Sequence, residues 1–349
     1  MTLSAIVEQF SARLFDKYGD RLLPSHLNAL HAIRRCRTPE SGELRVHCPK
    51  CGESEWRPLS CGHRNCPACQ NHDTSQWLAR QQAKLLPVSY FMATFTLPTE
   101  LRPLTWTFQK QVYAILFACA TGTLKDFGLN PKHLGADMGM TAVLHTQSRR
   151  LDYHPHLHVV VPGGGIDSGR RQWKKIKGQY LFNGCNLAKV FRARFLAALD
   201  AAGLQVPSGA PTKWVVNCRR VGTGLPALQY LSRYLYRGVI AEKNILSCEN
   251  EKVTFRYVDS DTGETRTRTL KGEDFLWLLL QHVLPRGFRR VRDYGFLHGN
   301  AKKRLALVQL ILRVMLAPQP KRQRPVFHCS CCKTPMVITS FRRAAWSSG

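Results

Sequence analysis

Two histidines lie two residues apart in an apolar run near the middle of the chain. His156 and His158 flank Leu157 and precede three valines, a pattern typical of a β-strand. Side chains alternate faces along a strand, so both imidazoles should point to the same side. Neutral imidazole nitrogen is a common ligand for divalent cations, and two such ligands leave coordination positions open for substrate oxygens. The pair therefore predicts half of a catalytic metal site.

A third ligand is expected from the preceding strand. Residues 139–145 also have the pattern of a strand, which ends in His145, and residues 147–150 form the connection. In an antiparallel arrangement His145 would lie near the histidine pair, so it is the provisional third ligand. His154 competes with it, because it lies on the same face as the pair. Pro155, however, marks a strand start or edge, which suits ligation less well.

A pair of tyrosines follows on a predicted helix. Pro226 near the start, Gly238 after the end and leucines at helical spacing predict this helix. Tyr230 and Tyr234 are four residues apart, so their phenols should share one face, whereas Tyr236 should point elsewhere. A phenol needs a strong electrophile, which a phosphate polarised by a cation supplies. Two phenols could each hold a phosphodiester, so that one DNA end is stored while a second is cut.

Cysteine pairs in the first part of the chain predict structural zinc. Their spacing is that of a zinc ribbon or knuckle, with two Cys-x-x-Cys pairs separated by 14 residues. We expect one zinc ion to be bound by Cys48, Cys51, Cys66 and Cys69. Three nearby residues, Cys36, Cys61 and His63, are candidates for a second or shared zinc, with ordinary packing as the alternative. Near the other end of the chain, Cys329 and Cys332 form only half of a site, because no partner pair lies close in the sequence.

The charge balance favours a polyanionic partner. Lys plus Arg number 51 and Asp plus Glu 23, which gives a net charge of +28 over 349 residues. Neutralising phosphates with these cations would make binding steeply dependent on salt. The basic residues are spread along the chain, not gathered on one amphipathic helix, which argues against a membrane-surface role. A merely basic surface would explain the charge but not the histidines and tyrosines.

Basic residues near the predicted site are candidate DNA contacts. Two arginines precede the tyrosine helix and two lie on it: Arg219, Arg220, Arg233 and Arg237. Their guanidinium groups could bind an anion, such as a phosphate, near the phenols. A second basic stretch contains Trp173, Lys174 and Lys175. It suits single-stranded DNA, because an indole stacks on a base while the charges follow phosphates. A solvated loop is the alternative for this stretch.

The predicted elements occur in the order strand, helix, strand, strand, helix, which favours an α+β fold with an antiparallel sheet flanked by helices. We expect three consecutive domains. They are a helical and zinc-binding DNA-recognition domain over residues 1–75, a domain with the histidines and the tyrosine helix over residues 76–245, and residues 246–349 as a β-hairpin, helices and a basic tail with cysteines. The 13 cysteines, an odd number without a signal-peptide pattern, favour metal binding in a reducing compartment. We found no stretch with the length and apolarity of a membrane span.

The combined motifs resemble a known family. A His-hydrophobic-His strand followed by a Tyr-x-x-x-Tyr helix is similar to the HUH superfamily of single-strand DNA nucleases. The surrounding residues resemble bacterial transposases of the insertion-sequence ninety-one type, which carry an amino-terminal zinc-binding module. The matching stretches include His154-Pro155-His156-Leu157-His158 and Cys61-Gly62-His63-Arg64-Asn65-Cys66, and the resemblance extends over most of the chain.

This resemblance implies an RRM-like HUH endonuclease core and a rolling-circle transposase. Such an enzyme would hold Mg²⁺ or Mn²⁺ at the histidines, cleave single-stranded DNA at the element ends and transfer the strand through a 5′-phosphotyrosine. It would act in the bacterial cytoplasm, associated with the nucleoid, with structural zinc and without a nucleotide cofactor. A relaxase or plasmid replication initiator would show the same chemistry. A histidine-triad nucleotide hydrolase and a non-catalytic zinc-containing DNA-binding protein are the alternatives from other classes. The oligomeric state and the order in which the tyrosines attack are left open.

Overall fold

The computed structural model describes residues 1–69, 71–176, 178–235, 239–259, 262–315 and 326–343. The helices among them are α1 (Leu3–Tyr18), α2 (Pro24–Arg35), α3 (Asn71–Gln82), α4 (Arg102–Thr107), α5 (Gln109–Leu129), α6 (Gly184–Ala201), α7 (Leu225–Leu235), α8 (Gly272–Leu280) and α9 (Lys302–Ile311). The strands are β1 (Glu43–His47), β2 (Ser54–Pro58), β3 (Tyr90–Thr96), β4 (Met140–Gln147), β5 (Tyr153–Pro162), β6 (Gly164–Asp167), β7 (Gln172–Lys175), β8 (Val216–Arg220), β9 (Ile245–Glu249), β10 (Lys252–Val258), β11 (Thr265–Lys271), β12 (Val291–Tyr294) and β13 (Val337–Arg342).

The chain divides into two compact units, which differ from the three consecutive domains expected from the sequence. Unit 1 comprises residues 1–72, 236–283 and 317–349, and unit 2 comprises residues 73–235 and 284–316. The carboxy-terminal third is thus shared between the units. The reason is packing: α8 lies against α1, with Trp277 stacked on Tyr18 at 4.9 Å between ring centroids. The later strand β12 instead pairs with β4 inside unit 2.

Unit 2 is built on an antiparallel sheet of five strands in the order β12-β4-β5-β3-β8. Four of them follow the chain order β3-α5-β4-β5-α6-β8, a split βαββαβ arrangement. The expected α+β class with an antiparallel sheet is confirmed. The sheet has one apolar face, because alternate residues of β5, such as Leu157, Val159 and Val161, are buried in one core with α5 and α6. The histidines therefore occupy the other face, which we call the histidine face.

Helix α5 forms the centre of this core. The one helix expected between the first two strands of the sheet is divided into α4 and α5 at Phe108, whose backbone leaves the helical region at φ −114° and ψ 41°. By length and composition alone α5 could cross a membrane. Its residues Leu116, Phe117 and Leu124 are, however, fully buried with the sheet. Its apolar character is therefore accounted for by the core of unit 2.

The short strand β12 is joined to the sheet by a polar network around one carboxylate. Asp293 accepts hydrogen bonds from the Thr141 hydroxyl at 2.7 Å, the Lys84 ammonium at 2.6 Å and the Gln81 amide at 3.2 Å. The network connects the end of α3 and the residues that follow it to two strands of the sheet.

Unit 1 contains two small antiparallel sheets, β13-β1-β2 and β11-β10-β9, together with α1, α2 and α8. The β-hairpin expected within residues 246–349 is confirmed as β10 and β11.

Candidate functional site

Three histidines meet on the histidine face of unit 2. His145 on β4 lies directly opposite His156 on β5, and His158 follows two residues later on the same strand. One ring nitrogen of each lies within 4.8 Å of those of the other two. The ring centroids are 4.5 Å apart for His145 and His158 and 5.2 Å for His145 and His156. The antiparallel register thus brings the provisional third ligand to the predicted pair.

Hydrogen bonds orient two of these imidazoles. A carbonyl oxygen can only accept, so His156 donates its Nδ1–H to the backbone oxygen of His154, 2.7 Å away, and Nε2 keeps its lone pair. His158 Nδ1 lies 3.0 Å from the hydroxyl of Thr94 on β3, which can accept in the same way. Partners of this kind fix the tautomer and direction of metal-binding histidines. Sequence reasoning missed Thr94, whose role follows only from its position opposite His158 in the sheet.

Burial keeps the three imidazoles uncharged. Loss of solvation lowers the pKa of His156 to about 4 and that of His158 to about 3, and it lowers the pKa of His145 well below its usual range. Near neutral pH the cluster therefore presents neutral nitrogens, the form in which imidazole binds a cation.

His154, the competing candidate, is engaged elsewhere. Its Nδ1 accepts a hydrogen bond from the Arg102 guanidinium at 2.7 Å. Burial and the nearby Arg102 charge lower its pKa. A nitrogen that accepts from a cationic donor is not available to a metal on that side. Among the described residues, the group with metal-binding spacing on this face contains the other three histidines.

The Tyr230 ring faces the histidine cluster from α7. Its centroid lies 6.2 Å from that of His158 and 6.4 Å from that of His145. The helix is anchored by Ala227, Leu228 and Leu231, which are buried, whereas Tyr230 is 37% exposed. The phenol is therefore close to the cluster and open to a large substrate.

Gly224 determines where α7 begins. Its φ is +84°, and a Cβ at this position would lie 2.7 Å from the Tyr90 ring on β3. Its carbonyl accepts the hydrogen bond from Leu228 N–H that starts the helix, at 3.0 Å. The close contact between Gly224 and Tyr90 thus places the start of the tyrosine helix against the sheet. Sequence reasoning missed this residue, although a glycine before Leu-Pro was a visible signal for a helix start.

The remaining tyrosine-helix candidates are only partly described. Tyr234 and Arg233 lie on α7 by their backbone, with side chains outside the described part. Tyr236 and Arg237 lie outside the described residues.

The two arginines before α7 point in different directions. Arg219 on β8 is exposed, lies opposite Met92 on the histidine face, and its charge contributes to the lowered pKa of His158. Arg220 belongs to the other face by alternation, and its guanidinium donates to the Gln179 and Ser89 side chains at 2.8 Å each. Of this pair, Arg219 is the one placed to meet an anion at the cluster.

The predicted stacking role of Trp173 does not agree with its position. The indole packs edge-on against Phe296 at 5.9 Å and lies against Gly164, within a small apolar cluster. Lys174 forms an ion pair with Asp167 at 3.0 Å and donates to the Gly135 carbonyl at 2.8 Å. The sequence offered a DNA contact or a solvated loop for this stretch, because the packing partners of the strand come from distant segments and leave no local signal. Lys175 is exposed and stays a candidate DNA contact.

Eight cysteines of unit 1 form two clusters of four, which we call cluster A (Cys36, Cys61, Cys66 and Cys69) and cluster B (Cys48, Cys51, Cys329 and Cys332). In each cluster all sulfur atoms lie within 4.8 Å of one another. The expected site of Cys48, Cys51, Cys66 and Cys69 is therefore wrong. The two pairs separate because β13 pairs with β1, which brings the carboxy-terminal cysteines to the first pair, whereas Cys36 after α2 meets the second.

Cluster A has the composition of a closed zinc site. The Cys61 and Cys69 sulfurs are 3.6 Å apart, near the roughly 3.8 Å that tetrahedral zinc requires with bonds of about 2.3 Å. His63, the other candidate, is not among the residues that share metal-binding spacing in cluster A. Its Nδ1 accepts a hydrogen bond from the Asn65 N–H at 3.3 Å.

Two known families match the regions that contain cluster A and the three histidines. Residues 6–97, which contain all of cluster A, match a family described as "Transposase zinc-binding domain". Residues 139–304, which contain the three histidines and Tyr230, match a family described as "Putative transposase". No solved structure matches the chain.

Two curated relatives extend over most of the chain. The "Putative transposase y4qJ" of Sinorhizobium fredii is 34% identical, over 85% of this chain and 82% of the relative. The "Transposase for insertion sequence element IS801" of Pseudomonas savastanoi pv. phaseolicola is 27% identical, over 80% of this chain and 75% of the relative. The chain therefore belongs to the family of insertion-sequence transposases of the ninety-one type.

Proposed function

We propose that this transposase is a metal-dependent, rolling-circle enzyme of the HUH type, which cleaves and rejoins single-stranded DNA through a 5′-phosphotyrosine. The observation that carries the proposal is the position of the Tyr230 ring, 6.2 Å from a ring of the three-histidine cluster. The split βαββαβ sheet, with two histidines on a central strand, supports an HUH core.

The histidine cluster fits a divalent cation. One neutral nitrogen from each histidine lies within 4.8 Å of the other two on one face. Because Nδ1 of His156 and His158 is engaged in hydrogen bonds, Nε2 is the nitrogen that each of these rings can offer to a cation. Because Mg²⁺ prefers oxygen ligands, a three-nitrogen set favours Mn²⁺ of the two expected metals. When bound, the cation supplies Lewis-acid polarisation of the scissile phosphate.

The phenol of Tyr230 then acts as nucleophile. Its Oη forms a bond to phosphorus while the bond from phosphorus to the 3′ oxygen breaks. The phenol proton passes to solvent, and the leaving oxygen takes one up as a 3′-hydroxyl. Attack by a 3′-hydroxyl on the phosphotyrosine reverses these bonds and rejoins the strand, so no nucleotide cofactor is consumed. Tyr234, one helical turn away, would serve the second cleavage.

Charged residues in both units support binding of single-stranded DNA at the element ends. Arg219 is exposed on the histidine face, where a phosphate would lie. In unit 1, Arg45 on β1 and Lys50 between two cysteines are exposed. With the net charge of +28, they favour a role of the zinc-binding domain in recognising element ends.

Trapping of a covalent adduct tests the proposal. The full chain is incubated with labelled single-stranded oligonucleotides and Mn²⁺, resolved on a denaturing gel, and the adduct is mapped by peptide mass spectrometry. We expect adducts on Tyr230 or Tyr234, a marked loss in Tyr230→Phe and complete loss in the double phenylalanine variant. Tyr180→Phe is the matched control, because this tyrosine is 78% exposed and outside the cluster.

Three results would overturn the proposal. Adducts that persist in the double variant would remove both tyrosines as nucleophiles. An adduct on a histidine would favour nucleotidyl transfer of the histidine-triad type. Tight oligonucleotide binding with no adduct under any metal would favour a non-catalytic DNA-binding protein.

A further inference from the structure

We infer that cluster B is a second structural zinc site, which fastens the carboxy-terminal segment, residues 326–343, to the amino-terminal zinc-binding domain. The family match to that domain ends at residue 97 and thus contains two of the four cysteines. The other two are Cys329 and Cys332, more than 270 residues later.

The sulfur positions fit a tetrahedral metal and not a disulfide. Cys48 and Cys332 are 3.5 Å apart, Cys51 and Cys329 are 3.5 Å apart, and Cys51 and Cys332 are 3.7 Å apart. A disulfide would require about 2 Å. Zinc with four thiolates at about 2.3 Å places the sulfurs about 3.8 Å apart. All four thiols are unbridged, so the set is complete for one closed zinc site.

The two halves of the site have the same backbone structure. In the first, Cys48 N–H donates to the Glu53 carbonyl at 2.8 Å, and Gly52 N–H donates to the Cys48 carbonyl at 3.0 Å. In the second, Cys329 N–H donates to the Thr334 carbonyl at 3.0 Å, and Lys333 N–H to the Cys329 carbonyl at 3.0 Å.

The fourth residue after each first cysteine has a positive φ, +76° at Gly52 and +58° at Lys333. Lysine rarely adopts this conformation, which costs about 1 kcal/mol or more. Two matching tight turns, one of them strained, present both cysteine pairs to a common centre. The segment around Cys329 is therefore built as the second half of a zinc ribbon.

A metal is also needed to explain why the carboxy-terminal segment is held. Strand β13 pairs with β1, yet all six of its residues are exposed. The apolar cluster below it is small and consists of Val46, Met336 and two of the cysteines, with Phe327 and Cys332 at its edge. So little buried area rarely stabilises a strand by itself, and metal binding is the usual compensation in small modules.

Metal analysis of the purified full chain tests this inference. We expect two zinc ions per chain in the wild type and one in Cys329→Ser/Cys332→Ser. Cys331→Ser is the matched control, because this cysteine lies between the other two but is exposed and outside the cluster. It should keep both ions. One zinc ion in the wild type, two in the double variant, or iron in place of the second zinc would each overturn the assignment.

A second measurement uses the wild type and does not depend on how a variant folds. Brief alkylation followed by mass spectrometry should modify Cys331 readily and leave Cys329 and Cys332 protected. After treatment with a chelator, Cys329 and Cys332 should be alkylated as readily as Cys331. Equal labelling of the three before chelation would contradict a metal site at Cys329 and Cys332. Neither measurement depends on the nuclease chemistry proposed above, so either proposal can be refuted without affecting the other.

Discussion

Replacing Gly224 by alanine should destabilise unit 2 and displace the tyrosine helix. Alanine in the left-handed region costs about 1 kcal/mol. The new Cβ would also lie 2.7 Å from the Tyr90 ring, and overpacking of this kind costs about 1–3 kcal/mol more. We therefore expect Gly224→Ala to lower the free energy of unfolding by about 2–4 kcal/mol, measured by urea titration followed by tryptophan fluorescence.

Gly222→Ala is the matched control for this prediction. Gly222 lies in the same turn with φ +72°, but a Cβ there would have nothing within 4 Å. It should show the backbone strain alone, about 1 kcal/mol. The entropy that alanine removes from the unfolded chain is the same for both variants and cancels in their difference. The excess of about 1–3 kcal/mol in Gly224→Ala measures the contact with Tyr90.

A double substitution tests whether the Tyr90 ring causes the extra loss of stability. In a Tyr90→Leu background the ring is gone, and Gly224→Ala should cost no more than Gly222→Ala does. Equal costs of the two glycine substitutions in the wild-type background would refute the argument that Tyr90 places the start of α7. So would an unchanged cost of Gly224→Ala after removal of the ring.

Three further predictions concern charge and hydrogen bonding in unit 2. Because the folded pKa of His158 is about 3, acidification from pH 7 to pH 5 protonates the unfolded chain and not the native imidazole. The free energy of unfolding without added Mg²⁺ or Mn²⁺ should fall by roughly 2 kcal/mol more in the wild type than in His158→Gln. Asp293→Ala removes the acceptor of a partly buried network and should cost about 2–3 kcal/mol. Asp126→Ala breaks an exposed ion pair with Arg194 and should cost less than about 1 kcal/mol. Arg219→Ala should weaken binding of a single-stranded oligonucleotide and reduce its salt dependence by about 0.7 in slope, while Arg220→Ala should change binding little; equal effects would contradict the opposite faces of the two arginines.

The three-histidine cluster was largely predictable, because the sequence pattern that places its residues is local. The alternation around His156 and His158 predicts a strand, and the short connection at residues 147–150 indicates that the strand ending in His145 turns back beside it. Helical spacing likewise predicted the element that carries Tyr230. Residues that act across the sheet, such as Thr94 and Gly224, could not be recognised, because their roles depend on which strand or ring lies opposite.

The zinc sites show the limit of reasoning from spacing. A Cys-x-x-Cys pair predicts half of a tetrahedral site and says nothing about which other pair completes it. Spacing predicts that the nearest pair in the sequence completes the site. In the structure Cys48 instead lies beside Cys332, a cysteine 284 residues away. The stacking role predicted for Trp173 disagrees with the structure for the same reason, because its packing partner Phe296 belongs to a distant segment.

In the proposed mechanism, metal binding and attack on DNA are assigned to different parts of the fold. The three histidines lie on β4 and β5, which are hydrogen-bonded to neighbours on both sides, so their backbone is held by the sheet. The proposed nucleophile, Tyr230, lies on a separate helix, whose start packs closely against the sheet at Gly224 and Tyr90. A phenol that must carry a DNA end while the metal accepts a second phosphate benefits from such an arrangement, because either part can be occupied without displacing the other. Gly224→Ala should therefore slow adduct formation while Mn²⁺ binding keeps its wild-type affinity, and His158→Gln should reduce both; a parallel loss of metal affinity in Gly224→Ala would show that helix and strands are coupled.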